Sequence, residues 1–292
     1  MAEQQISLAV LILAHKNLQQ VARLVGHLQA SFDVFVHLDK RSDLTEEDFR
    51  SFHRTTAIKT FKTGWGSVGI VRATLELLTV ASHSGTYDRF ILISAQDVPL
   101  KSNDEIQSFF SRHPTTNFVD SRDFTLEDHS RLTRLTHFHF FSRKSLSGTI
   151  TRWSADASRH LDKALWSLGI RRSMKYRFKW GSQWMDLTKD TVERILQFVK
   201  ADKSFVKRFR FTFCPDEFFF QTAIEHCGSH DTVLSEPRRF TDWISGPEHP
   251  RVLRSEDLER VTESDMLFAR KCDPIVDSQL IDDLYRQIER TP

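Results

Sequence analysis

The segment Phe213-Cys214-Pro215-Asp216-Glu217-Phe218-Phe219-Phe220 sets two carboxylates directly behind a proline and ahead of an aromatic run. Proline is tolerated at the first helical position, and acids in a first turn face the positive end of the helix dipole. A carboxylate held there stays ionised near neutral pH, as a general base must. The same pair also reads as a plain helix cap, Asp216 in particular. Further along, Arg239, Arg251, Arg270 and Lys271 crowd into the part of the chain that follows the two acids. They are either fixed cations for an anionic ligand or dispersed surface charge.

The elements that must position these groups begin with Leu8-Ala9-Val10-Leu11-Ile12-Leu13-Ala14, an apolar run too short to span a bilayer and preceded by no basic segment. It reads as a buried parallel strand. Leu18, Val21, Leu24, Val25 and Leu28 repeat at helical spacing, Asp33 to Asp39 is a second strand, Val68 to Ala81 a second helix, and Phe90 to Ser94 a third strand. This strand–helix alternation implies an α/β fold with a mostly parallel sheet and right-handed crossovers, whose ligands bind beyond the carboxyl ends of the strands. His15, Asp39 and Asp97 all fall at such ends. A nucleotide crevice needs polar residues there, although three unrelated loop caps would look the same.

Composition narrows the classes. With 39% hydrophobic and 27% charged residues, the 292-residue chain is ordinary for a globular protein, and 24 phenylalanines against 3 tyrosines imply an aromatic core. A net charge of +2 is too balanced to imply nucleic-acid binding. Cys214, Cys227 and Cys272 form no CxxC pair, so reduced thiols in a cytoplasmic setting are expected. Neither GxGxxG nor GxxxxGK[ST] occurs, and there is no Asp-x-Asp to hold a divalent cation.

The middle of the chain is less regular. Asp104 to Phe110 is expected to be a short helix and Asn117 to Val119 a strand, followed by a mixed stretch from Asp120 to Gly148. Within it His137 and His139 would share one face of a strand, as metal ligands can, but no third ligand follows at a recognisable spacing. Arg171 to Trp180 interleaves basic and aromatic residues, either gripping phosphate or sugar faces or forming a solvated edge. Gly181 to Thr188 reads as a strand ending in a helix cap, and Leu280, Leu284 and Ile288 mark a terminal helix.

Taken in order, Val36-His37-Leu38-Asp39-Lys40-Arg41-Ser42, Trp65-Gly66-Ser67, Ser94-Ala95-Gln96-Asp97-Val98-Pro99-Leu100, Lys179-Trp180-Gly181-Ser182-Gln183-Trp184, Cys214-Pro215-Asp216-Glu217 and Leu267-Phe268-Ala269-Arg270-Lys271 resemble the core-2/I-branching N-acetylglucosaminyltransferase and peptide O-xylosyltransferase family, glycosyltransferase family 14. The resemblance implies a GT-A-like single domain, with residues 1–110 as a nucleotide-binding half and 111–292 as an acceptor and catalytic half. It also implies a UDP-sugar donor, UDP-N-acetylglucosamine or UDP-xylose in known members, a hydroxyl acceptor, inversion at the anomeric carbon and catalysis without a metal ion. Residue by residue, it puts the catalytic base on Glu217, the uridine contact on Asp39 and the diphosphate cations on Arg251 and Lys271. Arg270 replaces an asparagine common in the animal branching enzymes and would add charge. The chain also lacks the anchor, stem and many cysteines of the Golgi enzymes, and so looks like a compact microbial or viral member.

Other positions stay open. Asp97 either supports the donor sugar or braces the turn before Pro99. Trp184 and Trp243 either stack on sugar faces or are core. With Asp216 and Asp242 they complete the substrate-side candidates, and His15 joins the donor side. The alternative function is a non-catalytic nucleotide-sugar or carbohydrate-binding module on the same fold.

Overall fold

The computed structural model describes residues 6–140, 160–244 and 250–290. Ten strands are seen among them: β1 (Leu8–Ala14), β2 (Asp33–Leu38), β3 (Thr55–Ile58), β4 (Arg89–Ser94), β5 (Val98–Pro99), β6 (Thr116–Val119), β7 (Met185–Thr188), β8 (Thr232–Leu234), β9 (Arg239–Thr241) and β10 (Phe268–Arg270). The helices are α1 (Leu18–Leu28), α2 (Val68–Ser84), α3 (Asn103–Ser111), α4 (His129–Thr136), α5 (160–167), α6 (Lys189–Ala201), α7 (Lys203–Arg208), α8 (Phe219–His226), α9 (Leu258–Thr262) and α10 (Ser278–Arg290).

Seven strands form one sheet in the order β3-β2-β1-β4-β7-β6-β8. The pairs from β3 to β4 are parallel, and β7 runs against both of its neighbours. The expected α/β architecture with a mostly parallel sheet is therefore present, with one reversed strand that the apolar pattern does not reveal. The sheet runs through both halves of the chain, because β6, β7 and β8 extend the side that β4 begins.

Every residue of β1 is buried, which is why it reads as an unbroken apolar run rather than an alternating one. Successive side chains still point to opposite faces. Ala9, Leu11 and Leu13 join Leu77 of α2, Ile195 of α6 and Phe219 of α8 on one side. Leu8, Val10 and Ile12 meet Val21 and Leu24 of α1 and Phe110 of α3 on the other. Fully burying one such side chain contributes about 1.5–3 kcal/mol, so this three-layer arrangement is what fixes the strand ends in space.

A three-stranded sheet, β5-β10-β9, lies apart from the main one. Its core is Val98, Leu253 and Ala269 against Leu280, Leu284 and Ile288 of α10. The Cys272 N–H donates to the Gln96 carbonyl at 2.8 Å, and the Gln20 side chain donates to the Cys272 carbonyl at 3.0 Å. Residues 270–273 are thereby drawn across the carboxyl ends of β1 and β4.

The expected short helix, strand and cap appear as α3, β6 and β7, with the Thr188 hydroxyl accepting from the Thr191 N–H. His137 to Phe140, by contrast, form no strand. The rings of His137 and His139 pack edge-on against Trp166, at 4.8 and 5.6 Å between centroids. In the basic-aromatic stretch Arg172 is buried and donates to the Phe211 carbonyl and the Thr212 hydroxyl, so part of that stretch is structural. Residues 141–148, Glu248 and His249 lie outside the described residues. No helix among the described residues is long and apolar enough to cross a membrane.

Candidate active site

The turn carrying the two acids is tighter than a helix start. Cys214 takes a left-handed conformation (φ 47°), and Pro215–Glu217 form a single 3-10 turn before α8 begins at Phe219. Two glycines make room for it. The Cys214 N–H donates to the Gly66 carbonyl at 3.1 Å, and Gly66 itself has φ +71° with the Phe213 ring 2.8 Å from where a Cβ would stand. The Gly181 N–H donates to the Glu217 carbonyl at 2.9 Å, and a Cβ on Gly181 would lie 1.8 Å from the Asp120 carbonyl oxygen. Only glycine permits that approach.

The two carboxylates have opposite surroundings. The Glu217 side chain is 36% exposed, and its Oε2 accepts from Arg134 Nη2 at 2.8 Å. Asp216 is buried, and its Oδ1 has no hydrogen-bond partner among the described residues. It caps no helix, which corrects the reading of it as a cap. Burial first, and then the neighbouring Glu217 charge, raise its pKa to about 7. A raised carboxyl means the folded state holds its proton more tightly than the unfolded chain, so stability falls as pH rises from about 4 to about 7. Asp216→Asn removes that titration. The Tm difference, variant minus unsubstituted protein, is expected to grow from pH 5 to pH 8 in thermal melts. A difference independent of pH would contradict the assignment.

Asp39, beyond the end of β2, is almost wholly engaged by its own loop and the loop after β3. It accepts from the Arg41 N–H (2.7 Å), Nε (3.2 Å) and Nη2 (2.9 Å), and from the Thr63 N–H (2.9 Å) and hydroxyl (2.8 Å). Burial opposes ionisation, but the bonds from Arg41 and Thr63 outweigh it and hold the carboxyl well below the usual carboxylate range. The anion therefore organises the loops after β2 and β3 around the crevice. His15, at the end of β1, is exposed yet ringed by protein, which lowers its pKa. Lys16 and Lys271 lower it further and Asp39 opposes them, so His15, Asp39 and Lys271 share one electrostatic neighbourhood.

Arg270 is placed differently from a diphosphate cation. It is buried, with its guanidinium carbon 3.9 Å from the centroid of the Trp184 ring and Nη1 3.7 Å from Asp97 Oδ1. Trp184 is thus faced by a protein cation on one side. Asp97 is fully buried and accepts from the Ser94 N–H at 3.0 Å, which is the turn-bracing role. Behind this pair, Arg239 meets Asp186 through two contacts of 2.5 and 2.6 Å, both side chains inaccessible to solvent.

Arg251 stands in a network of carboxylates. Its guanidinium contacts Asp242 at 3.2 Å and Asp257 at 2.5 Å, and Arg260 also reaches Asp242 at 2.9 Å. The Asp257 bond, ahead of Asp242, raises its pKa. Asp242 is buried and positions Arg251, while the adjacent Trp243 is 61% exposed. Among the described residues no group of three or more His, Cys, Asp or Glu side chains is placed to share a metal ion. Arg134 of α4, which no motif in the sequence singles out, is the side chain that the fold brings to Glu217.

The family model for the Core-2/I-branching enzyme matches residues 8–267. Similar curated proteins include xylosyltransferase oxt of Drosophila melanogaster, 26% identical over 93% of this chain and 32% of that protein. Xylosyltransferase 1 of Rattus norvegicus is 25% identical over 93% of this chain and 34% of its own length. The chain thus spans about a third of these relatives. Among solved structures, 4-diphosphocytidyl-2C-methyl-D-erythritol synthase is similar at a TM-score of 0.40 and 10% identity, covering 89% of this chain and 98% of that one. With a family match running through nearly all of the chain, the protein belongs to the Core-2/I-branching enzyme family.

Proposed function

We propose that this chain catalyses inverting transfer of a sugar, from a UDP-sugar of the xylose or N-acetylglucosamine type, to an acceptor hydroxyl without a metal ion. Glu217 is the base. It takes the hydroxyl proton as the acceptor oxygen forms its bond to the anomeric carbon and the bond from that carbon to the diphosphate oxygen breaks. UDP leaves carrying the negative charge, which Lys271 stabilises from beside His15 and Asp39. Arg251 is the second cation in this reading. It would turn part of its guanidinium from the Asp242 and Asp257 carboxylates toward the diphosphate. Arg270, buried against Trp184, holds the strand that presents Lys271. The observation that carries the proposal is a solvent-reachable carboxylate, Glu217, fixed at both its peptide and its side chain beside a buried acid.

Lys271→Met tests the cationic half. It is expected to lower transfer by about 10²–10³-fold, the usual loss for one charge-stabilising group, and to weaken UDP binding. Both should be measured in excess chelator, where the unsubstituted protein is expected to keep its activity. A strict requirement for a divalent cation would contradict the proposal. So would a protein that binds UDP yet leaves every UDP-sugar intact, which is the behaviour of a binding module.

A further inference from the structure

Glu217 is tied at two points to a unit that the reaction chemistry alone does not require. Arg134 of α4 gives a hydrogen bond to Oε2 and lies over the Phe218 ring, its guanidinium carbon 4.9 Å from the centroid. One turn earlier Arg131 is bound by Asp128 at 2.6 Å and stacks on Trp180 at 3.7 Å, while Leu135 is fully buried in the core. Trp180 precedes Gly181, whose N–H holds the Glu217 carbonyl. The helix therefore grips the carboxylate of Glu217 and also the segment at Trp180-Gly181 that fixes its peptide. Among the described residues only one oxygen of the carboxylate, Oε2, is engaged, and no hydrogen bond engages Oε1.

We propose that Arg134 is a positioning residue that clamps Oε2 of Glu217 so that Oε1 faces the acceptor hydroxyl. This rests on the reading of Glu217 as the base. An ion pair with one partner a third exposed contributes little to folding, so its use here is geometric. A glutamate side chain left to rotate would lose the near-attack arrangement in which one oxygen meets the hydroxyl proton, and small misplacements of reacting groups cost about 100-fold in rate.

The test uses the full chain and follows UDP released from UDP-xylose or UDP-N-acetylglucosamine, whichever the unsubstituted protein turns over. Arg134→Gln is expected to lower kcat by about 10- to 100-fold with UDP binding unchanged, and Arg134→Lys to retain more activity. Added guanidinium ion should restore part of the activity of Arg134→Ala, which a merely structural role would not permit. In a Glu217→Gln background, Arg134→Gln should cost nothing further, because the oxygen being oriented no longer acts as a base. An unchanged kcat, an equal loss in both backgrounds, or no rescue would overturn the positioning role while leaving Glu217 as the base. If Glu217→Gln itself retained activity, the reading of the base would fall, and this proposal with it.

Discussion

Glu217→Gln is expected to lower glycosyl transfer by about 10²–10⁴-fold, the usual contribution of a general base, with UDP binding unaffected. The substitution keeps the side chain's length and its ability to accept from Arg134, so the turn at Cys214 and the contact with Gly181 should persist. What it removes is the ability to take a proton. The loss should therefore appear in kcat rather than in KM, the pattern of an interaction made only in the transition state. Asp216 cannot substitute. It is buried, and its raised pKa leaves a large share protonated at neutral pH. Steady-state kinetics with calorimetric titration of UDP would separate the two quantities. A variant that keeps most of its transfer activity would remove Glu217 from the mechanism.

The second large effect is on the fold. Asp186→Ala is expected to destabilise the protein by about 3–5 kcal/mol, because Arg239 would be left buried and unpaired. Both side chains are inaccessible to solvent. Burial raises the Asp186 pKa, and the Arg239 charge opposes that rise. Arg89, also buried, adds a third charge to the layer and donates to the carbonyls of Thr116 and His113. Replacing both partners with apolar residues, as in Asp186→Leu with Arg239→Met, should cost far less than the single change, since no buried charge is then orphaned. Denaturant unfolding of the single and double variants checks this. A single variant no less stable than the double would contradict it.

What could be read from the amino acids follows from which forces were local. β1, β2 and β4 and the helices α1, α2 and α10 declare themselves because core burial imposes an apolar run or a helical stripe on consecutive residues. The reversal of β7 is not local: Met185–Thr188 look alike whichever way they run, and direction is set by pairing with Arg89–Leu92 and with Phe118–Val119. Asp216 and Glu217 look equivalent in the chain. Folding buries Asp216 and leaves Glu217 partly open, on a turn that packs against Gly66 and Gly181. Arg270 and Lys271 are likewise neighbours of one charge type, yet Arg270, the last residue of β10, is buried against Trp184 and Asp97 while Lys271 lies just past the strand. Arg134 sits on an eight-residue helix with a short apolar stripe, and its contact with Glu217 spans 83 positions. No periodicity marks such a pair.

The most direct test of inverting, metal-free transfer is the anomeric configuration of the product. The protein is incubated in excess chelator with UDP-xylose or UDP-N-acetylglucosamine, both α-linked, and a panel of hydroxyl acceptors, and the product is read by proton NMR. A single displacement assisted by Glu217 gives a β-linked sugar, and the same signal should vanish with Glu217→Gln. An α-linked product, or a β-linked product that forms only when a divalent cation is restored, would contradict the account.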